Sequence, residues 1–242
     1  MIIITGASDN HFNTLSQFLT NIKECNKEQI AEKIIVYNLG LNSNNWNLLK
    51  EQFTESYFLF EIFKYENYPE WYNININAGE YAWKSAIIKE CSLKYENNIL
   101  VWMDSGNLIN VPIALSNLKK VVDYEGIHTV KTSGNISLWT HKGTIDYLNA
   151  NHLINNENRN GACIGFNLKK DWVKEFLNEY SNFCSIKKCI APEGSSRKNH
   201  RQDQSILTIL YYKYKEKIQF KTHPGYQEKT VNEFYSVHND ID

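Results

Sequence analysis

A chain of 242 residues, 42% hydrophobic and 13% aromatic, is long enough for one large α/β core. Its 26 basic and 27 acidic residues leave a formal charge of -1, which excludes the broad positive field of a general nucleic-acid or anionic-membrane binder. Five cysteines without regular spacing do not make a disulfide framework, and Cys184 and Cys189 lack the second pair that a zinc site needs. The start "MIIITGASDN" has no basic segment and only three consecutive apolar residues after Met1, unlike a leader peptide. No run approaches the roughly 18 apolar residues of a membrane span. The expectation is a soluble, cytoplasmic protein with no transmembrane segment and no nucleic-acid partner.

In chain order, "MIIITGAS" reads as a buried strand closed by Gly6. Residues 12–33 carry helical spacing through Leu15, Phe18, Leu19, Ile22 and Ile30. "KIIVYNLG" is a second strand, "NSNNWNLLKEQF" a helical stretch and "YFLFEIFKY" a third apolar run. A helix over 80–95 leads into "ILVWM", the strand that ends at Asp104. Beyond it come a helix over 112–123, a strand "GIHTVKT", and a strand then helix in "SLWTHKGTIDYLNA". "NGACIGFNL" is a strand, and residues 171–183 form a helix with Asp171 as N-cap. "IAPEGSSRKNH" is a loop, "RQDQSILTILYYKYK" a helix, and "IQFKTHPGYQ" a closing strand and loop. Strands alternating with helices predict a mostly parallel α/β sheet in a single domain spanning 1–242.

Such sheets bind ligands beyond the carboxyl ends of their strands, so the polar residues there carry the functional reading. "TGASDNHF" places small residues and Asp9 and Asn10 at the end of the first strand. It lacks the later glycines of a dinucleotide loop and suits either a nucleoside contact or a turn capped by Ser8 or Asp9. Lys84 lies between Trp83 and an apolar run, suited to a diphosphate or simply to solvent. Asp104 ends an apolar strand, where an unpaired buried charge would cost several kcal/mol, so it needs a cation or an Asx-type turn with Ser105 and Gly106. The cluster His200, Arg201, Gln202, Asp203, Gln204 opens an apolar helix, and His223 sits in a late loop. An acid at a helix start also satisfies the helix dipole alone.

"YAWK", "VWMDSG" and "RQDQSILTIL", taken in that order, resemble the nucleotide-sugar glycosyltransferases of the GT-A fold. The likeness is to the glycogenin and lipopolysaccharide-galactosyltransferase type, and it runs as scattered motifs from Ile2 to about Gly225. It implies a donor half over 1–110 and a sugar or acceptor half over 111–242. Thr5, Gly6, Ala7 and Asn10 would border the base and ribose of a UDP- or GDP-sugar. Lys84 would touch its phosphates. Asp104, with Ser105 and Gly106 beside it, would begin the metal motif, and His223 would complete the coordination of Mn²⁺ or Mg²⁺. Asn160 and Gly161 would flank the donor sugar. Asp203 and Gln204 would be catalytic, reaching the transferred sugar or a glycan, lipid or protein acceptor.

The family's second metal carboxylate is Gly106 here. Either Asp104 and His223 share the metal with water and diphosphate, or Lys84, Arg201 or His200 supply the positive charge. The rival expectation is a non-catalytic module of the same fold that binds a nucleotide or glycan. A nucleotidyltransferase ranks last, because no basic phosphate loop follows the first strand.

Overall fold

The computed structural model describes residues 1–111, 113–226 and the backbone of 237–239. Pro112, where the expected helix 112–123 begins, and Gln227, where the expected closing segment ends, lie outside the described residues.

The sheet has six strands in the order β3-β2-β1-β4-β7-β6. They are β1 (Ile2–Ala7), β2 (Lys33–Asn38), β3 (Phe58–Ile62), β4 (Ile99–Met103), β6 (Ile127–Asn135) and β7 (Glu157–Asn167). β1 pairs in parallel with both β2 and β4, and β2 with β3, while β7 runs antiparallel to β4 and to β6. A short β5 (Asn107–Ile109) pairs with β8 (Val237–Asn239) outside the main sheet.

The alternation of side chains along β1 divides the core. Ile2 and Ile4 join α3 (Ala82–Lys94), α7 (Asp171–Cys184) and α9 (Gln202–Ile218) on one face. Met1 and Ile3 join α1 (Phe12–Cys25), α2 (Ser43–Gln52) and α4 (Ala114–Glu125) on the other. β1 and β4 are buried along their whole lengths, as strands covered on both faces must be. Among the described residues there are also three short α-helices, α5 (Ile136–Trp139), α6 (Lys142–Tyr147) and α8 (Lys187–Ile190).

Chain order reverses direction between β1 and β4. That switch point opens a crevice at their carboxyl ends, the place where such sheets take ligands.

Four local expectations change. The helix over 12–33 ends at Cys25, because the Asn26 side chain both donates to Ala31 O and accepts from Ala31 N at 2.9 Å, closing a loop that holds Ile30. The expected strand at 137 is the helical turn α5, capped by Asn135 through Leu138 N at 3.1 Å. Asp171 is the first residue of α7 rather than its cap. No strand forms in 219–223, since Gln219 turns left-handed (φ 54°) and ends α9.

Gly165 marks the tightest helix–sheet approach: a Cβ there would stand 2.2 Å from Val122 Cγ2 on α4. Gly165→Ala should destabilise the protein by about 1–3 kcal/mol through overpacking, read as a lower urea midpoint at unchanged m.

Candidate active site

Register brings three chain segments to one point. Met103 pairs with Cys163, and Asp104 N donates to Ala162 O at 2.8 Å, so Asp104 leaves β4 level with Gly161 and Ala162 of β7. The turn is held by Asn107, whose Nδ2 donates to Asp104 O and Ala162 O, both at 2.9 Å. The Asp104 carboxylate is therefore not consumed by the turn. Its Oδ1 accepts from Trp102 Nε1 at 2.6 Å and faces Lys84 Nζ at 2.9 Å.

Lys84 stands in the first turn of α3 and is only 4% exposed. Its ammonium also donates to Gly161 O at 3.1 Å and lies 3.7 Å from Asp203 Oδ2. Asp203, buried at the start of α9, accepts from Tyr180 OH at 3.3 Å. Burial opposes the Lys84 charge, but Asp104 and Asp203 outweigh it and hold its pKa above the ordinary value. Asp203 bears the opposite balance: burial raises its carboxyl to about 6 against the pull of Lys84, with Asp104 adding repulsion.

The approach to Lys84 is unusual backbone. Asn77 through Tyr81 all have positive φ, from 47° to 60°. Four of the five carry a Cβ, and such conformations cost on the order of 1 kcal/mol or more each. This left-handed turn is why α3 starts at Ala82 rather than at the expected residue 80. A Cβ on Gly79 would meet Tyr72 O at 2.1 Å, and Trp83 Nε1 donates back to Ala78 O at 3.0 Å.

Two arms of one cleft meet above this centre. The larger, about 860 Å³, is lined by Gly6, Ala7 and Ser8 to His11 after β1, with Gly40, Ile74, Trp83, Ser105 and Gly106. The smaller, about 410 Å³, is lined by Lys84, Asn160, Gly161, Asp203 and Gln204 with Trp139, Asn158, Arg201 and Gln202. Tyr81, Asp104, Ala162 and Arg197 line both.

Most of the residues singled out in the sequence thus share one cleft, with three exceptions. Thr5 is fully buried below the larger arm and does not line it. His223 lies elsewhere: its N donates to Glu125 Oε1 at 2.9 Å and its ring packs on Tyr124. Glu125 precedes Ile127, which is level with Leu100 near the start of β4, whereas Asp104 follows the end of that strand. His200 is buried and braces the fold, with Nε2 2.8 Å from Ile190 O and Nδ1 accepting from His141 N. Burial pushes its pKa down to about 4, so it stays neutral. Neither Ser8 nor Asp9 caps α1. Asp9 instead accepts from Asn42 N at 3.0 Å and from the Asn42 and Asn45 side chains, tying the β1 loop to α2.

The described residues do not fit a Mn²⁺ or Mg²⁺ centre. Among them no three His, Cys, Asp or Glu side chains converge. Asp104, two residues before Gly106, already has an ammonium 2.9 Å away, a like charge for any incoming cation. A Cβ on Gly106 would meet nothing within 4 Å, so no crowding requires the glycine.

Arg197, Tyr81, Trp102 and Tyr180 escaped the sequence reading. Arg197 belongs to a segment legible only as loop, and the two rings that bond Asp104 and Asp203 look like ordinary core aromatics. The "WMD" spacing is the one available hint, since i and i+2 share a strand face.

Known structures share this architecture. The galactosyltransferase LgtC, in complex with donor and acceptor sugar analogues, matches at 15% identity with a TM-score of 0.58, over 87% of this chain and 70% of that one. This is the GT-A fold. An active-site mutant of LgtC matches equally, at 15% identity and a TM-score of 0.59 over the same shares. The bifunctional glycosyltransferase WbbM matches at 16% identity and a TM-score of 0.58, over 88% of this chain but 37% of that one. Residues 1–89 match a family model described as a protein of unknown function, DUF1647. No curated protein sequence matches the chain. The expected GT-A sheet in one domain is thus borne out. Among the described residues no helix is long and apolar enough to cross a membrane.

Lys84→Met leaves two facing carboxylates without their cation and should cost about 3–5 kcal/mol. Adding Asp203→Asn should return part of that loss, a coupling readable in a double-mutant cycle by urea unfolding.

Proposed function

We propose that the protein transfers a sugar from a UDP- or GDP-sugar to a hydroxyl of a glycan, lipid or protein acceptor. The observation that carries this reading is the buried Lys84 ammonium on the smaller arm, held between Asp203 and Asp104, which lines both arms. A nucleoside fits the larger arm, formed mostly by the 1–110 half, against Gly6, Ala7 and Asn10. The sugar and acceptor fit the smaller arm, formed mostly by the 111–242 half, beside Asn160, Gly161 and Gln204. That LgtC was solved with donor and acceptor sugar analogues supports a two-substrate cleft on this fold.

In this reading the chemistry is leaving-group stabilisation. As the sugar–phosphate bond breaks, negative charge gathers on the diphosphate at the junction, where a preorganised cation in a partly desolvated site acts most strongly. Lys84 stands there with its hydrogens already directed by Asp104, Gly161 O and Asp203. Asp203 positions that ammonium and borders the reacting sugar, and Gln204 offers an amide to its hydroxyls. The expected Mn²⁺ or Mg²⁺ enters no step, because Asp104 is committed to Lys84.

Thermal-shift screening of nucleotide sugars should find a UDP- or GDP-sugar that raises Tm, and the same donor should release nucleoside diphosphate on incubation. Binding of a donor without release, across an acceptor panel, would identify the chain as a binding module, for which the glycine at 106 is the sequence argument.

Turnover should also depend on Asp203 ionisation. Its raised pKa means that the carboxylate form, the partner of Lys84, accumulates as pH rises through about 6. The rate of donor cleavage should climb through that range, and Asp203→Asn should remove the limb while lowering the plateau by about 10²-fold.

A further inference from the structure

Lys84 cannot neutralise a diphosphate alone. Above about pH 6 its single positive charge faces two carboxylates, Asp104 at 2.9 Å and Asp203 at 3.7 Å, so the centre is already net negative. A nucleoside diphosphate adds at least two further negative charges in a region that fits no metal. The countercharge must come from elsewhere in the cleft.

Two arginines border it. Arg201 lines only the smaller arm, stacked 4.0 Å from the Trp139 ring centroid. Arg197, in the loop between α8 and α9, lines both arms together with Asp104, Tyr81 and Ala162. Its guanidinium lies 5.4 Å from the centroid of Tyr81, the last residue of the left-handed turn. That turn fixes the ring, and the ring supports a guanidinium that is otherwise exposed to solvent.

We infer that Arg197 is the diphosphate-binding residue of this cleft, replacing with a planar guanidinium the cation that Asp104 and Gly106 do not hold. This rests on the proposed nucleotide-sugar reading and goes beyond it by naming the group that takes the phosphates. A guanidinium grips a phosphate with two parallel N–H···O bonds, and Tyr81 lowers the cost of ordering it. The donor then bridges the arms, its phosphates between Arg197 and Lys84. The arginine also keeps the charge on the loop side, where the leaving diphosphate can depart without extracting a buried lysine.

The test compares UDP, GDP, uridine and guanosine binding by calorimetry, in EDTA and in Mn²⁺, to wild type, Arg197→Ala and Arg197→Lys. Arg197 is exposed, and matched thermal unfolding of the free proteins confirms that each variant is folded. The inference predicts that one diphosphate binds wild type in EDTA, that Arg197→Ala weakens it tenfold or more, and that Arg197→Lys loses less. Its nucleoside should bind all three proteins alike. Diphosphate binding that is equal in wild type and Arg197→Ala, or that appears only with Mn²⁺, overturns the arginine assignment and leaves the nucleotide-sugar reading standing. Equal losses for diphosphate and nucleoside overturn it as well, since Arg197 would then shape the arm rather than hold phosphate. No binding of any nucleotide or nucleoside to wild type overturns both.

Discussion

A buried ammonium between two carboxylates is the constraint around which the rest of this cleft is arranged. Lys84 can remain charged at 4% exposure only because Asp104, Asp203 and Gly161 O surround it. Each of those partners comes from a different element: the end of β4, the start of α9 and the middle of β7. Charge satisfaction at one atom therefore demands that three distant parts of the chain be in register. Such a group contributes little net stability, since desolvation offsets most of its Coulombic gain. Its consequence is specificity of arrangement, and it keeps a preorganised cation at the edge of a cavity.

The supporting structure follows from that demand. Gly161 lacks a side chain where the Lys84 ammonium reaches its carbonyl and where Gln204 packs against it, 3.2 Å from the position a Cβ would take. Trp102 and Tyr180 direct N–H and O–H groups at the same two oxygens that face the ammonium, Asp104 Oδ1 and Asp203 Oδ2. Arg159, buried between β7 and α9, donates to Thr129 O at 3.1 Å and to Tyr212 OH at 3.2 Å, fixing the helix that carries Asp203. The left-handed turn at 77–81 stores backbone strain immediately before Lys84 and is held by the close approach of Gly79 to Tyr72. Strain of this kind persists where surrounding packing over-determines it, and here it adjoins the proposed reaction centre.

The glycine at 106 takes a different meaning in this setting. With room for a side chain and no second acid, the motif is not a crowded metal site that lost a ligand. It is an open floor of the larger arm, beside a carboxylate already paired with a buried ammonium. In the proposed reading, the positive charge for a nucleoside diphosphate stands outward, at Arg197 on the α8–α9 loop.

Local patterning determined much of this protein. Continuous apolar runs specified β1, β2 and β4, the helical spacing of Leu15, Phe18, Leu19 and Ile22 specified α1, and an acid following an apolar strand pointed to Asp104. Those signals are local, because burial periodicity and strand ends are written in neighbouring residues. Tertiary structure alone decided which polar residues meet. It brought Asp203 to Lys84 across more than a hundred residues and carried His223 to the end of the sheet where β4 begins. It also turned His200 inward as a neutral brace and raised Arg197 from an anonymous loop to the rim shared by both arms. Sequence spacing holds no information on such encounters, since strand order and helix packing set them. A charge's partner is known only when the chain is folded.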